Sequence, residues 1–276
     1  MCDHVFVQLS DTHIEAGDRP YWGIDTAGTF RRTLDAVRAL DARPEFFILS
    51  GDLCNRGERE GYVRLREVLA ELDAFGVPVL LGLGNHDARR PFREVCLGEA
   101  ETAEEEPYFY ARELGGLRVV MLDSKIPGDV AGRLGERQLG WLREALATPA
   151  PDGTVVVVHH PPFLNAVHHM DGHGLADAEA LADILREHPV LGLLHGHTHI
   201  VSCAAWAGTL SVTAPGVAHM LAPATREGLD FVEGSGFNLC VVRDGRLTVQ
   251  PVMLPGAQTL LFRWDGRRES IAAAHG

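Results

Sequence analysis

Apolar residues in this chain come in short blocks, and five of the blocks end alike. Val5–Leu9 runs into Asp11-Thr12-His13, and Phe46–Leu49 into Ser50-Gly51-Asp52. Val77–Leu83 leads to Gly84-Asn85-His86-Asp87, and Val155–Val158 to His159-His160-Pro161-Pro162. Val190–Leu194 leads to His195-Gly196-His197-Thr198-His199. A short apolar block bounded by turn residues predicts a buried strand. Between the first three blocks the apolar spacing becomes helical. Phe30, Leu34, Val37 and Leu40 share one face, stopped by Pro44, and Tyr62, Leu65, Leu69 and Leu72 share another, ended near Gly76. Strand–helix repetition predicts a parallel sheet with crossover helices.

The later pattern is less regular. Arg118–Leu122 predicts a short strand and Gln138–Ala147 a helix carrying Leu139, Leu142 and Leu146. The four valines Val155–Val158 are apolar on both faces, which predicts a central strand, and Ala178–Glu187 predicts a helix stopped by Pro189. Beyond His199 the chain predicts strands at Leu210–Thr213, Phe237–Val242 and Leu247–Met253, the last two joined by an Asp244-Gly245 hairpin turn. Residues 200–276 are therefore expected to be mostly antiparallel. No internal repeat or Pro- or Ser-rich linker interrupts the chain, so residues 1–276 read as a single α/β domain. Its expected form is two sheets packed face to face with helices outside.

Composition narrows the function. A chain of 276 residues can bury a large core. No apolar stretch approaches the roughly 20 residues of a membrane helix. The N-terminus enters a strand with no basic and apolar leader, so no secretory signal is expected. Five scattered cysteines, Cys2, Cys54, Cys96, Cys203 and Cys240, suit reduced thiols in a cytoplasmic protein, with Cys54 as buried filler. The net charge of −13 counts against long nucleic acid as a partner. Five glutamates within Glu99–Glu106 are expected to form a solvated loop.

Taken singly, the polar endings have ordinary readings. Asp11 and His13 are common loop residues, Asp52 suits a turn, and Asn85 and Asp87 suit a helix cap. Gly82-x-Gly84 lacks the third glycine and the following helix of a dinucleotide site. The paired prolines after His159-His160 rigidify a strand exit, which suits fixed imidazoles. In an extended loop His197 and His199 can point different ways and serve two neighbouring metals. Ligands of open α/β sheets bind beyond the carboxyl ends of the strands. Five strands delivering Asp, His and Asn to one edge therefore point to a site holding more than one metal. Carboxylate, imidazole and amide oxygen suit Fe, Mn, Zn or Co, and the lack of thiolate ligands disfavours a structural zinc site.

Together, Asp11-x-His13, Gly51-Asp52-x-x-Asn55, Gly84-Asn85-His86-Asp87, His159-His160-Pro161-Pro162 and Gly196-His197-x-His199 resemble the five blocks of the calcineurin-like metallophosphoesterases. The His-His-Pro-Pro form and the chain length resemble the bacterial class III cyclic-nucleotide phosphodiesterases and their glycerophosphodiesterase relatives. The blocks span Asp11 to His199, and the C-terminal part resembles the family only loosely. The resemblance implies a four-layer αββα sandwich with a dinuclear site. Asp11, His13, Asp52 and His199 would hold one metal, and Asp52, Asn85, His159 and His197 the other, with Asp52 bridging. Such a pair shares a hydroxide that attacks a phosphate in line. Two carboxylates against two divalent cations leave the pocket positive.

The resemblance places Asn85 and His86 beside the substrate phosphate, His86 stabilising charge or protonating the leaving oxygen. It makes His160 structural. Protein phosphatases carry Asp where this chain has Asn55, a departure that favours the diesterase branch. The implied substrate is a small phosphodiester, first a 3′,5′-cyclic nucleotide, with a glycerophosphodiester as the alternative. A phosphomonoesterase or nuclease ranks below both, and the complete ligand set argues against a non-enzymatic module. No membrane partner is expected, and homo-oligomerisation stays open. Asn165, His168, His169 and His173 sit in a loop placed to meet substrate or solvent, and His219 follows Pro215-Gly216. Tyr21 and Trp22 are expected to pack, with an apolar wall for a base or leaving group as their other reading.

Overall fold

Backbone pairing gathers the apolar blocks into two large sheets. The computed structural model describes residues 3–99, 103–163, 170, 172–222, 228–256 and 259–264. The first half runs β1 (His4–Leu9), α1 (Thr26–Arg38), β2 (Phe46–Ser50), α2 (Arg59–Leu69) and β3 (Val79–Gly82). A short α3 (Arg89–Phe92) continues into a π-helical turn over Arg93–Leu97. Then come β4 (Tyr110–Leu114), β5 (Leu117–Leu122), α4 (Gly135–Leu146), β6 (Thr154–Val158), α5 (Ala178–Glu187) and β7 (Gly192–His195). The remaining strands are β8 (Ser202–Trp206), β9 (Thr209–Thr213), β10 (Met220–Leu221), β11 (Leu229–Val232), β12 (Ser235–Arg243), β13 (Arg246–Leu254) and β14 (Leu260–Trp264).

One sheet has the order β13-β12-β1-β2-β3 and the other β4-β5-β6-β7-β9-β8. The parallel pairs β1–β2, β2–β3, β5–β6 and β6–β7 are those the strand–helix pattern predicts. The two-residue period of a strand sends alternate side chains into different layers. Phe6, Phe46 and Ile48 meet Val119, Val155, Val157 and Leu194 between the sheets. Val7, Phe47 and Leu49 instead pack beneath Phe30 and Leu34 of α1 and Leu65 of α2. Val156 and Val158 pack with Leu142 of α4 and Ile184 of α5 on the far side. This is the expected αββα sandwich. Truncating one such buried leucine to alanine costs about 2–5 kcal/mol.

Several expectations need correcting. β3 begins at Val79, since Pro78 has no N–H to give the ladder. The helix of Phe30 ends at Arg38, before Leu40. The C-terminal strands are mostly antiparallel, as expected, with β9 joining β7 in parallel. The Asp244-Gly245 turn has φ of 51° and 68°, the two positive values of a type I′ hairpin. A third sheet, β10-β11-β14, was not foreseen. The glutamate run is bound rather than merely solvated. Glu104 accepts the Arg89 and Arg90 amides at 3.0 and 2.9 Å, Glu106 pairs with Arg137, and Glu99 pairs with Arg93. Cys54 is buried; all four described cysteines are free, Cys240 also buried, Cys96 half-buried and Cys203 exposed, while Cys2 lies outside the described residues. Among the described residues no helix is long and apolar enough to cross a membrane.

Candidate metal centre

The carboxyl ends of β1, β2 and β3 in one sheet and of β6 and β7 in the other meet at one edge of the sandwich. There the backbone turns sharply. Asp11, His13, Asp52, His197 and His199 have φ between 42° and 74°. Side-chain-bearing residues rarely occupy this left-handed region, and such strain concentrates at functional sites. Glycine makes the close approach possible. A Cβ on Gly84 would strike the Asp52 carboxylate and lie 2.6 Å from His159 Nε2.

The side chains converge on two adjoining clusters. In the first, His199 Nε2 lies 3.3 Å from Asp11 Oδ1 and 3.2 Å from His13 Nε2. In the second, His159 Nε2 lies 3.3 Å from Asp52 Oδ2, and His197 Nδ1 lies 2.9 Å from Asn85 Oδ1. Asp52 stands between them, its Oδ2 also 3.7 Å from His13 Nε2. Ligand atoms of Asp11, His13 and His199 fall within 4.8 Å of one another, as do those of Asp11, Asp52 and His159.

Hydrogen bonds fix which ring nitrogen is offered. His159 Nδ1 donates to the Ser50 carbonyl at 2.9 Å and His199 Nδ1 to the His219 carbonyl at 2.9 Å. His13 Nδ1 donates to Asn55 Oδ1 at 3.3 Å, and Asn55 Nδ2 donates onward to Glu15 Oε1 at 2.6 Å. Each bond leaves an Nε2 lone pair facing inward, the usual preparation of an imidazole for a metal. The Nε2 atoms of His159 and His197 are buried without a hydrogen-bond partner. The Nε2 atoms of His13 and His199 face each other at 3.2 Å. A buried polar atom left unsatisfied costs about 1–3 kcal/mol. Cations among these nitrogens and the Asp11 and Asp52 oxygens would satisfy them all, so the donors fit a metal pair.

The electrostatics agree. Burial opposes the charge of Asp11, but His199 and His159 hold its carboxyl well below the usual range. Asp52 is lowered in the same way, with His159 and His86 outweighing burial. Burial, reinforced by neighbouring histidines, takes His13 and His197 down to about 3, so both rings are neutral, as a metal ligand needs to be. Burial also opposes a proton on His159, yet Asp52 and Asp11 raise that residue to about 9. The paired carboxylates demand a cation, and a metal would displace that proton.

His160 adjoins the cluster but spends both nitrogens, Nδ1 on Ser124 Oγ at 2.7 Å and Nε2 on the Val130 carbonyl at 3.1 Å. His86 donates from Nδ1 to the main-chain carbonyl of Asn55 at 2.7 Å, which orients its ring toward the cavity. The Asn55 position thus serves His86 through its backbone, while its amide serves His13. Asp87 caps no helix. It gathers the Leu53, Cys54 and Gly84 amides and the Tyr62 hydroxyl at 2.9–3.1 Å, tying the exits of β2 and β3 together. Burial, with Asp52 nearby, pushes Asp87 up to about 6.

A cavity of about 130 Å³ has Asp52, Asn85, His86 and His197 on its floor and Tyr21, Phe231 and Trp264 on its wall. His219 lines it too, stacked 4.1 Å from His199, with no partner for either ring nitrogen. His173 stacks on Trp264 at 5.9 Å, while Asn165, His168 and His169 lie outside the described residues. Sequence reasoning missed Glu15, Ser124, Phe231 and Trp264. The first two matter through contacts with Asn55 and His160, far away in the sequence, and the aromatics come from the unforeseen third sheet.

The model of the calcineurin-like phosphoesterase family matches residues 4–201, and the chain belongs to that family. Among relatives, a probable cyclic nucleotide phosphodiesterase of Rhodococcus erythropolis is 40% identical over 74% of this chain and 68% of its own length. A cAMP/cGMP dual specificity phosphodiesterase of Mycobacterium tuberculosis is 36% identical over 75% and 65%. A probable glycerophosphodiester phosphodiesterase of Arcobacter nitrofigilis is 33% identical over 79% and 80%. The match thus spans about two thirds of the first two relatives. A dimetal phosphatase from Danio rerio shares the fold, with TM-score 0.61 and 19% identity over 91% of this chain and 99% of its own.

Proposed function

We propose that the chain is a dinuclear metal-dependent phosphodiesterase whose substrate is a 3′,5′-cyclic nucleotide. The observation that carries this reading is one cavity combining a floor of metal-type ligands with an aromatic wall. Asp11, His13, Asp52 and His199 would hold one ion, and Asp52, Asn85, His159 and His197 the other. The ions, from among Fe, Mn, Zn and Co, supply Lewis acidity at the phosphate. The protein does the rest. Asn85 orients the phosphate, and His86, with Nδ1–H committed to Asn55, acts as an imidazolium that delivers its Nε2 proton to the leaving oxygen and is left as the neutral Nδ1–H tautomer.

The wall supports a base rather than a glycerol. Tyr21-Trp22-Gly23-Ile24 is a tight turn closed by two 2.9 Å bonds between Tyr21 and Ile24, with Trp22 at φ 48°. A tryptophan in that conformation is strained. Trp22 lies behind the lining and braces it: its indole stacks with Tyr21 at 4.3 Å and Phe262 at 5.4 Å and meets the edge of Phe231 at 4.8 Å, which leaves Tyr21 and Phe231 to face the cavity. Stacking a base on an aromatic ring contributes about 1–3 kcal/mol. The two relatives named as cyclic nucleotide phosphodiesterases support the same reading.

The test is kcat/KM of the Mn²⁺-reconstituted protein for 3′,5′-cyclic AMP beside glycerophosphoethanolamine. A preference of about tenfold or more for the nucleotide, erased in Phe231→Ala, is expected. A preference for the glycerol diester would replace this reading with the glycerophosphodiesterase one.

A further inference from the structure

Three consecutive residues leaving β5 grip three parts of the site. Asp123 takes the Arg89 guanidinium at 2.7 and 3.0 Å, Ser124 Oγ meets His160 Nδ1, and Lys125 Nζ donates to the Asn85 carbonyl at 3.0 Å. Lys125 is the sole lysine of the chain, every other one of the 25 cationic residues being arginine. It is only 8% exposed, and among the described residues no carboxylate forms an ion pair with its ammonium. A nearly buried ammonium normally has an anionic partner. Here the acceptor is one peptide group.

That peptide joins Asn85, read here as a metal ligand, to His86, read as the proton donor. Its other end is also held, for the His86 amide donates to Asp52 Oδ1 at 2.9 Å. The plane is clamped between Lys125 and Asp52. We propose that Lys125 is a positioning residue that fixes the Asn85–His86 peptide, aiming Asn85 at its metal and His86 at the leaving oxygen. An ammonium on the carbonyl polarises the peptide and strengthens the N–H bond to Asp52, as linked hydrogen bonds do. A compact ammonium reaches one carbonyl in this narrow space, whereas arginine brings a planar fork of five donors.

The inference rests on the reading of Asn85 as a ligand. Lys125→Met removes the donor at similar length. It is expected to weaken binding of one of two Mn²⁺ ions by about 10–100-fold and to lower kcat with little change in KM. Lys125→Arg should restore part of kcat. A merely structural lysine would lower the melting temperature alone, so two ions bound at wild-type affinity with kcat within about twofold of wild type overturns the proposal. Asn85→Ala separates the two ideas. If it loses one ion while Lys125→Met keeps both, only the role of Lys125 fails; if it keeps both, the ligand reading fails.

Should Lys125→Met not fold, the wild-type protein answers. One lysine gives one ¹⁵Nζ signal in lysine-labelled protein. Adding Zn²⁺ to the metal-free protein is expected to shift that signal and slow its proton exchange, and an unmoved signal refutes the link.

Discussion

Both ends of the sandwich bury histidine among carboxylates, yet they differ in what the nitrogens do. At the start of β1, His4 is buried between Glu45 at 3.0 Å from Nδ1 and Asp152 at 3.1 Å from Nε2. Glu45 precedes β2 and Asp152 precedes β6, so this imidazole staples one sheet to the other, with both nitrogens spent. At the opposite end His13, His159 and His199 commit only Nδ1 to a fixed oxygen, and the inward nitrogens of His159 and His197 have no hydrogen bond. The backbone differs as well. His4 continues a regular strand, whereas five residues at the site sit at positive φ. Buried histidine beside carboxylate therefore does not mark a metal site by itself; what sets the candidate centre apart is inward nitrogens without hydrogen bonds among residues on a strained backbone.

Substitutions at the two ends should separate function from stability. Asp52→Ala removes the bridge and should lower diester hydrolysis beyond about 10³-fold along with metal content, checked by elemental analysis beside the assay. Full activity in that variant would contradict the site assignment. His86→Ala should keep both metals while lowering kcat about 100-fold. Loss of metal there would make His86 a ligand instead. Glu15→Gln loosens the Asn55 amide that orients His13, and a drop of about tenfold in metal affinity is expected by titration calorimetry.

His4→Ala should leave kcat/KM unchanged and cost about 1–3 kcal/mol in urea unfolding. Burial works against a proton on His4, but Asp152 and Glu45 prevail and raise its pKa above the usual histidine value. The unfolded chain binds that proton less tightly. The staple therefore contributes fully below the ordinary histidine pKa of about 6.5, and its contribution is lost as pH rises through the raised value. Comparing wild type with His4→Ala across this range isolates the staple from Asp87 and the site histidines. A stability difference that grows with pH would show that His4 is neutral in the fold.

Much of this molecule was legible in the sequence because strand ends carry its chemistry. A buried strand is apolar, and the residues just past its end reach the sheet edge, so Asp11, Asp52, Asn85, His159 and His197 could be placed from pattern alone. The supports could not. Glu15 matters through an amide, Ser124 through a ring nitrogen and Lys125 through a distant carbonyl, and none of these contacts leaves a period or spacing in the chain. Strand β4 reads Tyr-Ala-Arg-Glu-Leu, mostly exposed and without an apolar block. β10, β11 and β14 are short, and β11 finds β14 only across a wide sequence gap. The wall that supports a choice of substrate is built from such pieces. The candidate ligand cluster was therefore readable where the cavity wall was not.

The decisive measurement is the number of Mn²⁺ ions bound per chain by metal-free wild-type protein, read by native mass spectrometry with EPR on the same sample. Two ions per chain with an exchange-coupled spectrum are expected from a carboxylate bridge at Asp52. A single ion at saturation, or two ions without coupling, would contradict a shared dinuclear centre.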